Sequence, residues 1–343
     1  MSAAVDDPRK VLFADGGLPP SIPVCDHYCG VEERMRKSLA LQAELGPVFD
    51  VTLDCEDGAP VGREAAHVRM AVELIRSGEN RFGRVGARVH PLDHASFDDD
   101  VDTLIAGAGA RLPYLMVPKP RDLADARRAI EAIDAACSRH GLRQRPPVHF
   151  LIETHGALRD VFAIAALPRV QSLSFGLMDF VSAHNGAIPV GAMSAQGQFE
   201  HPLVRRAKLE IAAACHAAAK VPSHSVVTEF KHLKAVQGAA ARAAHEFGYT
   251  RMWSIHPSQV QAIVDVFAPT VAELDEAIEI ISAAESAHWA PIRHRDTLHD
   301  RASYRYYWQV IERARRTRQP LPAEVERAWF GDPPDDDPAR RPQ

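Results

Sequence analysis

Val148–Leu158 reads VHFLIETHGAL, an apolar run that stops on a carboxylate, Glu153. Leu173–Phe180, LSFGLMDF, repeats the pattern and stops at Asp179. A carboxylate at the end of a buried run is costly unless a cation or hydrogen bonds compensate it. The two stretches therefore raise one question of fold and one of chemistry. Both runs are short enough for buried strands, and similar runs recur along the chain. They are KVLFAD, VFDVTLDCED, RVGARVH, YLMVPK, VHFLIET, SLSFGLMD, SHSVVTE and RMWSIHP.

Segments with helical spacing alternate with these runs. REAAHVRMAVELIRSG puts Val68, Val72 and Ile75 on one face and stops at Gly78. DLADARRAIEAIDAACSRHG opens on Asp122 as an N-cap and closes on Gly141. HPLVRRAKLEIAAACHAAAK and KAVQGAAARAAHEFG follow the same plan. About eight strands, each followed by a helix or loop, predict a parallel α/β architecture. The expected fold is a closed (β/α)8 TIM barrel with a C-terminal helical extension. A doubly wound open sheet is disfavoured because no GxGxxG follows the first run.

From about Ala290 the composition changes. PIRHRDTLHDRASYRYYWQVIERARRTRQ is polar and aromatic, then helical, and GDPPDDDPARRPQ is expected to fray. The expected division is a catalytic barrel over residues 1–290 and an extension over 291–343, a lid or a subunit contact.

The 343 residues carry a net charge of −5, which argues against a nucleic-acid footprint. No apolar run reaches the length of a membrane span. MSAAVDDPRK has no signal-like apolar region, so a cytoplasmic protein with no membrane partner is expected. The five cysteines include no CxxC; Cys25 and Cys29 flank His27, but free thiols in a reducing compartment fit the pattern better than a metal cluster.

In such barrels the chemistry sits at the C-terminal ends of the strands. Read this way, the second strand presents Asp54, Glu56 and Asp57, the third Arg88 and His90, and the fourth Lys119. The fifth presents Glu153, the sixth Asp179 and the eighth His256. Glu153 and Asp179 come from adjacent strands, about 5 Å apart, so both can reach one cation. Oxygen ligands of this kind suit Mg2+, with Asp54, Glu56 or Asp57 behind its waters. The competing reading is a structural network of these acids with Arg88 and Lys119. Arg88 is the candidate partner of a carboxylate or oxyanion. Lys119, His155 and His256 read as packing, surface and capping residues.

Taken in order, LDCEDGAP, GARVHPLD, LMVPKP, IETHGAL, SFGLMDF and GYTRMWSIHPSQVQAIVDVFAPTVAEL resemble the citrate lyase beta-subunit-like and malyl-CoA lyase group of the hydroxy-acid aldolase/citrate lyase superfamily. The resemblance covers roughly residues 10–290. It implies a barrel with Mg2+ held by Glu153 and Asp179, Arg88 on the substrate, and Glu56 and Asp57 as the acidic cluster beside it. Glu153 and Arg88 would also be the substrate-binding pair.

Trimers or hexamers are implied, with the C-terminal segment contributing to a neighbouring site. Three places depart from the family pattern: His90 stands where Asn is usual, LFADGGLPP with Asp15 replaces a VPG turn, and Ser225 in VPSHSVV stands near the usual Asp. The expected activity is reversible aldol cleavage of a 3-hydroxyacyl-CoA thioester, malyl-CoA or citramalyl-CoA-like. A free 2-oxo acid aldolase, an acyl-CoA thioesterase and a non-catalytic paralogue stay open, as does the identity of the base among Asp57, His90 and a residue of a neighbouring chain.

Overall fold

A computed structural model describes residues 7–14 and 16–331. Asp15 and the Pro- and Asp-rich tail lie outside the described residues. The chain divides into two compact units, Pro23–Val266 and a second unit made of 1–22 with 267–343.

The first unit is a closed barrel of eight parallel strands with helices between them, the (β/α)8 fold. The strands are β1 (Cys25–Cys29), β2 (Phe49–Asp54), β3 (Val85–Arg88), β4 (Leu115–Val117), β5 (Val148–Ile152), β6 (Val170–Phe175), β7 (Val221–His224) and β8 (Arg251–Ser254). Closure is made by β1, where Cys25 lies opposite Phe49 of β2 and Met252 of β8.

The first strand differs from expectation. KVLFAD does not form it: Pro8–Leu12 is a short helix, with the Asp7 carboxylate accepting from Arg9 N–H and Pro8 at its start. The strand is CDHYC, whose Asp26 and His27 break the apolar signature. Asp26 is tolerated because it is answered inside the barrel. Arg251 Nη2 lies 3.0 Å from Asp26 Oδ2, and its Nη1 lies 2.7 Å from Asp50 Oδ2. Thr52 Oγ1 donates to Asp26 Oδ1 at 2.7 Å and Tyr114 OH donates to it at 3.2 Å. β8 and β2 are not neighbours, so these side chains meet across the barrel interior.

Strand alternation then assigns the interior face: Asp26 and Tyr28; Asp50, Thr52 and Asp54; Gly86 and Arg88; Tyr114 and Met116; His149, Leu151 and Glu153; Arg251 and Trp253. Gly86 makes room for this filling, since a Cβ there would stand 2.5 Å from the Tyr114 ring. Above the ionic floor, Tyr28, Met116, Leu151, Val226 and Trp253 form an apolar layer. β7 begins two residues earlier than SHSVVTE suggested and includes Pro222.

Helix signals read from the sequence match the structure closely. Asp122 caps Leu123–Arg139 by accepting from Asp125 N–H, and Gly141 beyond its end takes φ +67°. All five cysteines are free and buried. Burial pushes their thiols above the ordinary range, Cys29 and Cys215 to about 12.

The second unit has its own core. The helices Val271–Ser286, Arg301–Arg316 and Ala323–Phe330 bury Ile280, Ile281, Tyr304, Trp308 and Trp329 with Leu12. It takes in Val271–Ser286, which the sequence had grouped with the barrel. Two of the aromatic residues that mark the extension, Tyr304 and Trp308, therefore serve packing, while Tyr306 is exposed.

Arg251→Met should cost about 3–5 kcal/mol, because Asp26 and Asp50 would be left buried without their cation. The loss should be smaller below pH 5. Burial already raises the Asp50 carboxyl against the pull of Arg251; without that cation it favours folding when protonated and opposes it as pH rises. Urea unfolding at pH 4.5 and pH 8 reads this; an equal loss at both would remove the floor from the stability argument.

Candidate active site

The mouth at the C-terminal ends of the strands gathers one arginine, one lysine and five carboxylates. Arg88, the last residue of β3, donates Nε to Asp54 Oδ1 at 2.7 Å and Nη2 to Asp54 Oδ2 at 2.5 Å. Its Nη1 lies 2.9 Å from Glu56 Oε2, and the guanidinium stacks 5.4 Å from the Tyr28 ring centroid. Asp54 was one of three acids, with Glu56 and Asp57, read as candidates to hold metal-bound water. The structure instead makes it the bidentate clamp of Arg88. Burial opposes its charge, but Arg88 and the N–H groups of Glu56 and Gly58 outweigh this and hold its pKa below the usual range. Gly58 allows this contact, since a Cβ there would lie 2.3 Å from Asp54 Oδ2. Burial raises the Glu56 carboxyl, with Arg88 and Lys119 pulling the other way.

Lys119 is the junction the sequence reading undervalued. Its ammonium donates to Glu56 Oε1 at 2.5 Å and Asp57 Oδ2 at 2.8 Å, and lies 3.7 Å from Asp179 Oδ1. Its backbone N–H donates to Glu153 Oε1 at 2.9 Å. One residue thus touches four acids from three different loops. It does so with φ +51°, a left-handed conformation that is strained for lysine and is framed by Pro118 and Pro120. The carboxylates keep Lys119 protonated in spite of burial.

Glu153 ends the β5 run and is 2 % exposed. The next residue, Thr154, caps the helix His155–Arg159 and donates its hydroxyl to Pro120 O at 2.6 Å, which ties this turn to the loop of Lys119. Asp179 lies beyond the end of β6, in the first turn of Leu177–Ser182, with its side chain 45 % exposed. Gly176 lets Glu153 in: a Cβ there would be 2.1 Å from Glu153 Oε2 and 2.5 Å from its Cβ. Burial, and next Asp179, push the Glu153 carboxyl well above its ordinary value. The mouth is therefore short of positive charge at Glu153.

Other candidates are engaged elsewhere. His90 Nδ1 lies 2.6 Å from Asp100 Oδ2, and its ring stacks on His94. His256 accepts from Ser258 N–H at 3.3 Å at the start of the helix Pro257–Phe267, as a cap, and its ring stacks on Phe230. His155 packs against Phe180 and His184. Ser225 is fully buried and donates to Gln198 Oε1 at 2.9 Å. Lys208 reaches the same Gln198 oxygen at 2.6 Å and contacts His224. Burial pushes the Lys208 amine well below its usual value.

Whether the mouth suits a magnesium ion can be judged from its donors. Glu153, Asp179 and Glu56 offer only oxygen, the chemistry that ion takes. Among the described residues no group of three or more His, Cys, Asp or Glu is arranged to hold a metal ion. An ion that binds through one or two carboxylates and keeps its waters does not need such a group. Below the acids, the buried Tyr28 OH and Trp253 Nε1 have no hydrogen-bond partner among the described residues. Both belong to the layer that also includes Met178, next to Asp179. Polar groups facing a polar ligand or water account for such orphans.

The profile of the HpcH/HpaI aldolase/citrate lyase family matches residues 39–257. The chain belongs to this family. An L-malyl-CoA/beta-methylmalyl-CoA lyase of Cereibacter sphaeroides is 30% identical over 249 residues, covering 69% of this chain and 77% of that one. A malyl-CoA/beta-methylmalyl-CoA/citramalyl-CoA lyase of Chloroflexus aurantiacus is 25% identical, covering 66% and 70%. A crystal structure of a citrate lyase from Burkholderia xenovorans shares 56% identity with a TM-score of 0.81, over 94% of this chain and 99% of that one. The protein CitE of Mycobacterium tuberculosis, in complex with magnesium, acetoacetate and coenzyme A, matches with a TM-score of 0.65 at 20% identity, a likeness of fold, over 86% and 98%. The protein is thus a lyase of the aldol-cleaving type. No helix among its described residues is long and apolar enough to cross a membrane.

Two outcomes test the geometry. Gly176→Ala should leave the barrel folded but displace Glu153, weakening divalent-cation binding by at least about tenfold; titration calorimetry beside circular dichroism reads both. In chelator-treated protein, Glu153 keeps its proton to a higher pH folded than unfolded. Its contribution is complete below about pH 4.3 and is lost as pH rises through the folded value. The Tm should therefore fall from pH 5 to pH 8 more steeply in the parent than in Glu153→Gln; identical slopes would contradict the raised carboxyl.

Proposed function

We propose that the protein is a Mg2+-dependent carbon–carbon lyase that reversibly cleaves a 3-hydroxyacyl-CoA thioester of the malyl-CoA or citramalyl-CoA kind. The observation that carries this reading is the meeting of Glu153, Asp179, Glu56 and Asp57 around Lys119, within one residue's reach. The magnesium-bound relative and the CoA-ester lyases among the relatives support the same reading.

Glu153 and Asp179 would hold the ion, and a bound ion supplies Lewis-acid polarisation of the substrate oxygen. Arg88 places a fixed positive charge where the cleaved bond leaves negative charge on oxygen. Asp54 and Glu56 keep that fork oriented, so no reorganisation is required during reaction. Asp57 is the carboxylate placed to take the hydroxyl proton: its side chain is 59% exposed, and Lys119 holds it at the mouth. Lys119 itself stays protonated, so it acts as a charge and not as a Schiff-base nucleophile. A homo-oligomer, trimer or hexamer, in the cytoplasm completes the reading, with the C-terminal unit as a lid or subunit contact.

Cleavage assays with malyl-CoA and citramalyl-CoA, with pyruvate and oxaloacetate as free-acid controls, test this. Turnover of a CoA thioester should vanish with EDTA and return with Mg2+. Asp179→Asn should weaken Mg2+ binding by more than about 100-fold while Tm changes little. Full activity after chelation sinks the metal reading, and turnover confined to free oxo acids sinks the thioester.

A further inference from the structure

The opposite end of the barrel holds a second concavity. The loops entering β3, β4 and β5 meet the start of β6 around a cavity of about 620 Å3. Arg81, Arg111 and Arg145 line it, with side-chain amides that include Gln171, and among the described residues no Asp or Glu does. In a chain of net charge −5 this is a local reversal of sign. Three guanidiniums around one hollow repel one another, and the protein answers them only in part.

Arg81 is exposed, and its guanidinium has no ion pair among the described residues. Arg111 donates to the carbonyl of Arg76 and, among the described residues, forms no ion pair with a carboxylate. Arg145 lies 2.8 Å from Asp134 Oδ2, but Arg169 takes the other oxygen of the same carboxylate. The surplus is therefore about two positive charges facing a cleft.

One of the donors is also held in place. Gln171 Oε1 lies 2.8 Å from Nε2 of His149, a buried interior residue that burial keeps neutral, at about 3. With Oε1 accepting from that ring N–H, the Gln171 amide nitrogen is left as a donor for the cavity. Three prolines in the lining stiffen the entering loops, so little conformational entropy is lost when a ligand is gripped. Planar guanidiniums match phosphate and carboxylate oxygens in pairs.

We propose that this cavity binds a small anion carrying two or more phosphate or carboxylate groups, held by Arg81, Arg111 and Arg145 with Gln171 as a neutral donor. A singly charged anion would leave most of the surplus unanswered. The site is separate from the mouth, where Arg88 is already occupied by Asp54 and Glu56. The proposal does not depend on the lyase reading.

The test is titration calorimetry of the full chain at low ionic strength, free of divalent cations, with pyrophosphate in one arm and citrate in the other. At least one should bind, and affinity should fall as salt is added. The triple variant Arg81→Gln/Arg111→Gln/Arg145→Gln should bind at least about tenfold more weakly. Arg81→Gln alone, at a side chain with no ion pair to lose, should weaken binding several-fold and keeps the test valid if the triple variant folds poorly. Loss confined to one arm assigns phosphate or carboxylate as the ligand group. No binding of either anion, or unchanged binding in the variants, overturns the proposal.

Discussion

The clamp of Asp54 on Arg88 is the constraint on which the mouth depends. A buried guanidinium survives because both its edges meet carboxylates at hydrogen-bonding distance. That arrangement uses the end of β2 to position the end of β3. It also turns Glu56 toward Lys119, and Lys119 in turn reaches Glu153 and Asp179. The mouth is thus one connected set of charges, in which no acid is placed independently of the others. The geometry cannot be varied at one strand end without moving its neighbours.

A second ionic set lies deeper, where Arg251 joins Asp26 and Asp50. Tyr28, Met116, Leu151 and Trp253 lie between the two. The interior is therefore stacked in three storeys: a charged floor, an apolar middle and a charged top. Charges interact more strongly in such an interior than in water, so the floor draws a second cation, Arg84 with Nη1 3.9 Å from Asp50 Oδ1, while the top carries an unbalanced charge. The floor serves the fold, whereas the top, short of positive charge at Glu153, serves the chemistry.

Much of this was legible in the sequence. The apolar runs that became β2, β3, β4, β5, β6 and β8 were plain, as was the Asp122 cap. The grouping of Arg88, Glu56, Asp57, Glu153 and Asp179 at one end followed from where those runs stop. β1 was not legible because its interior residue is an acid whose partner, Arg251, is far away in sequence. A lone Asp in a short run looks like a loop until that partner is known. The role of Asp54 stayed open because three acids close together in sequence cannot be ranked without knowing which one faces inward. Lys119 was undervalued for a similar reason: its reach depends on a left-handed backbone that residue type alone does not disclose. The C-terminal segment was left as a lid or a subunit contact, and its aromatic residues did not decide between them: Tyr304 and Trp308 are consumed in packing their own unit.

The five sequestered thiols have a practical consequence. Each is shielded from solvent and disfavoured as a thiolate, the form that reacts with electrophiles. The native chain is accordingly a silent background for maleimide labelling. A single cysteine introduced on the rim would carry a fluorophore or spin label without first stripping the natural ones, and movement of the loops around the carboxylates could be followed in an otherwise unmodified molecule.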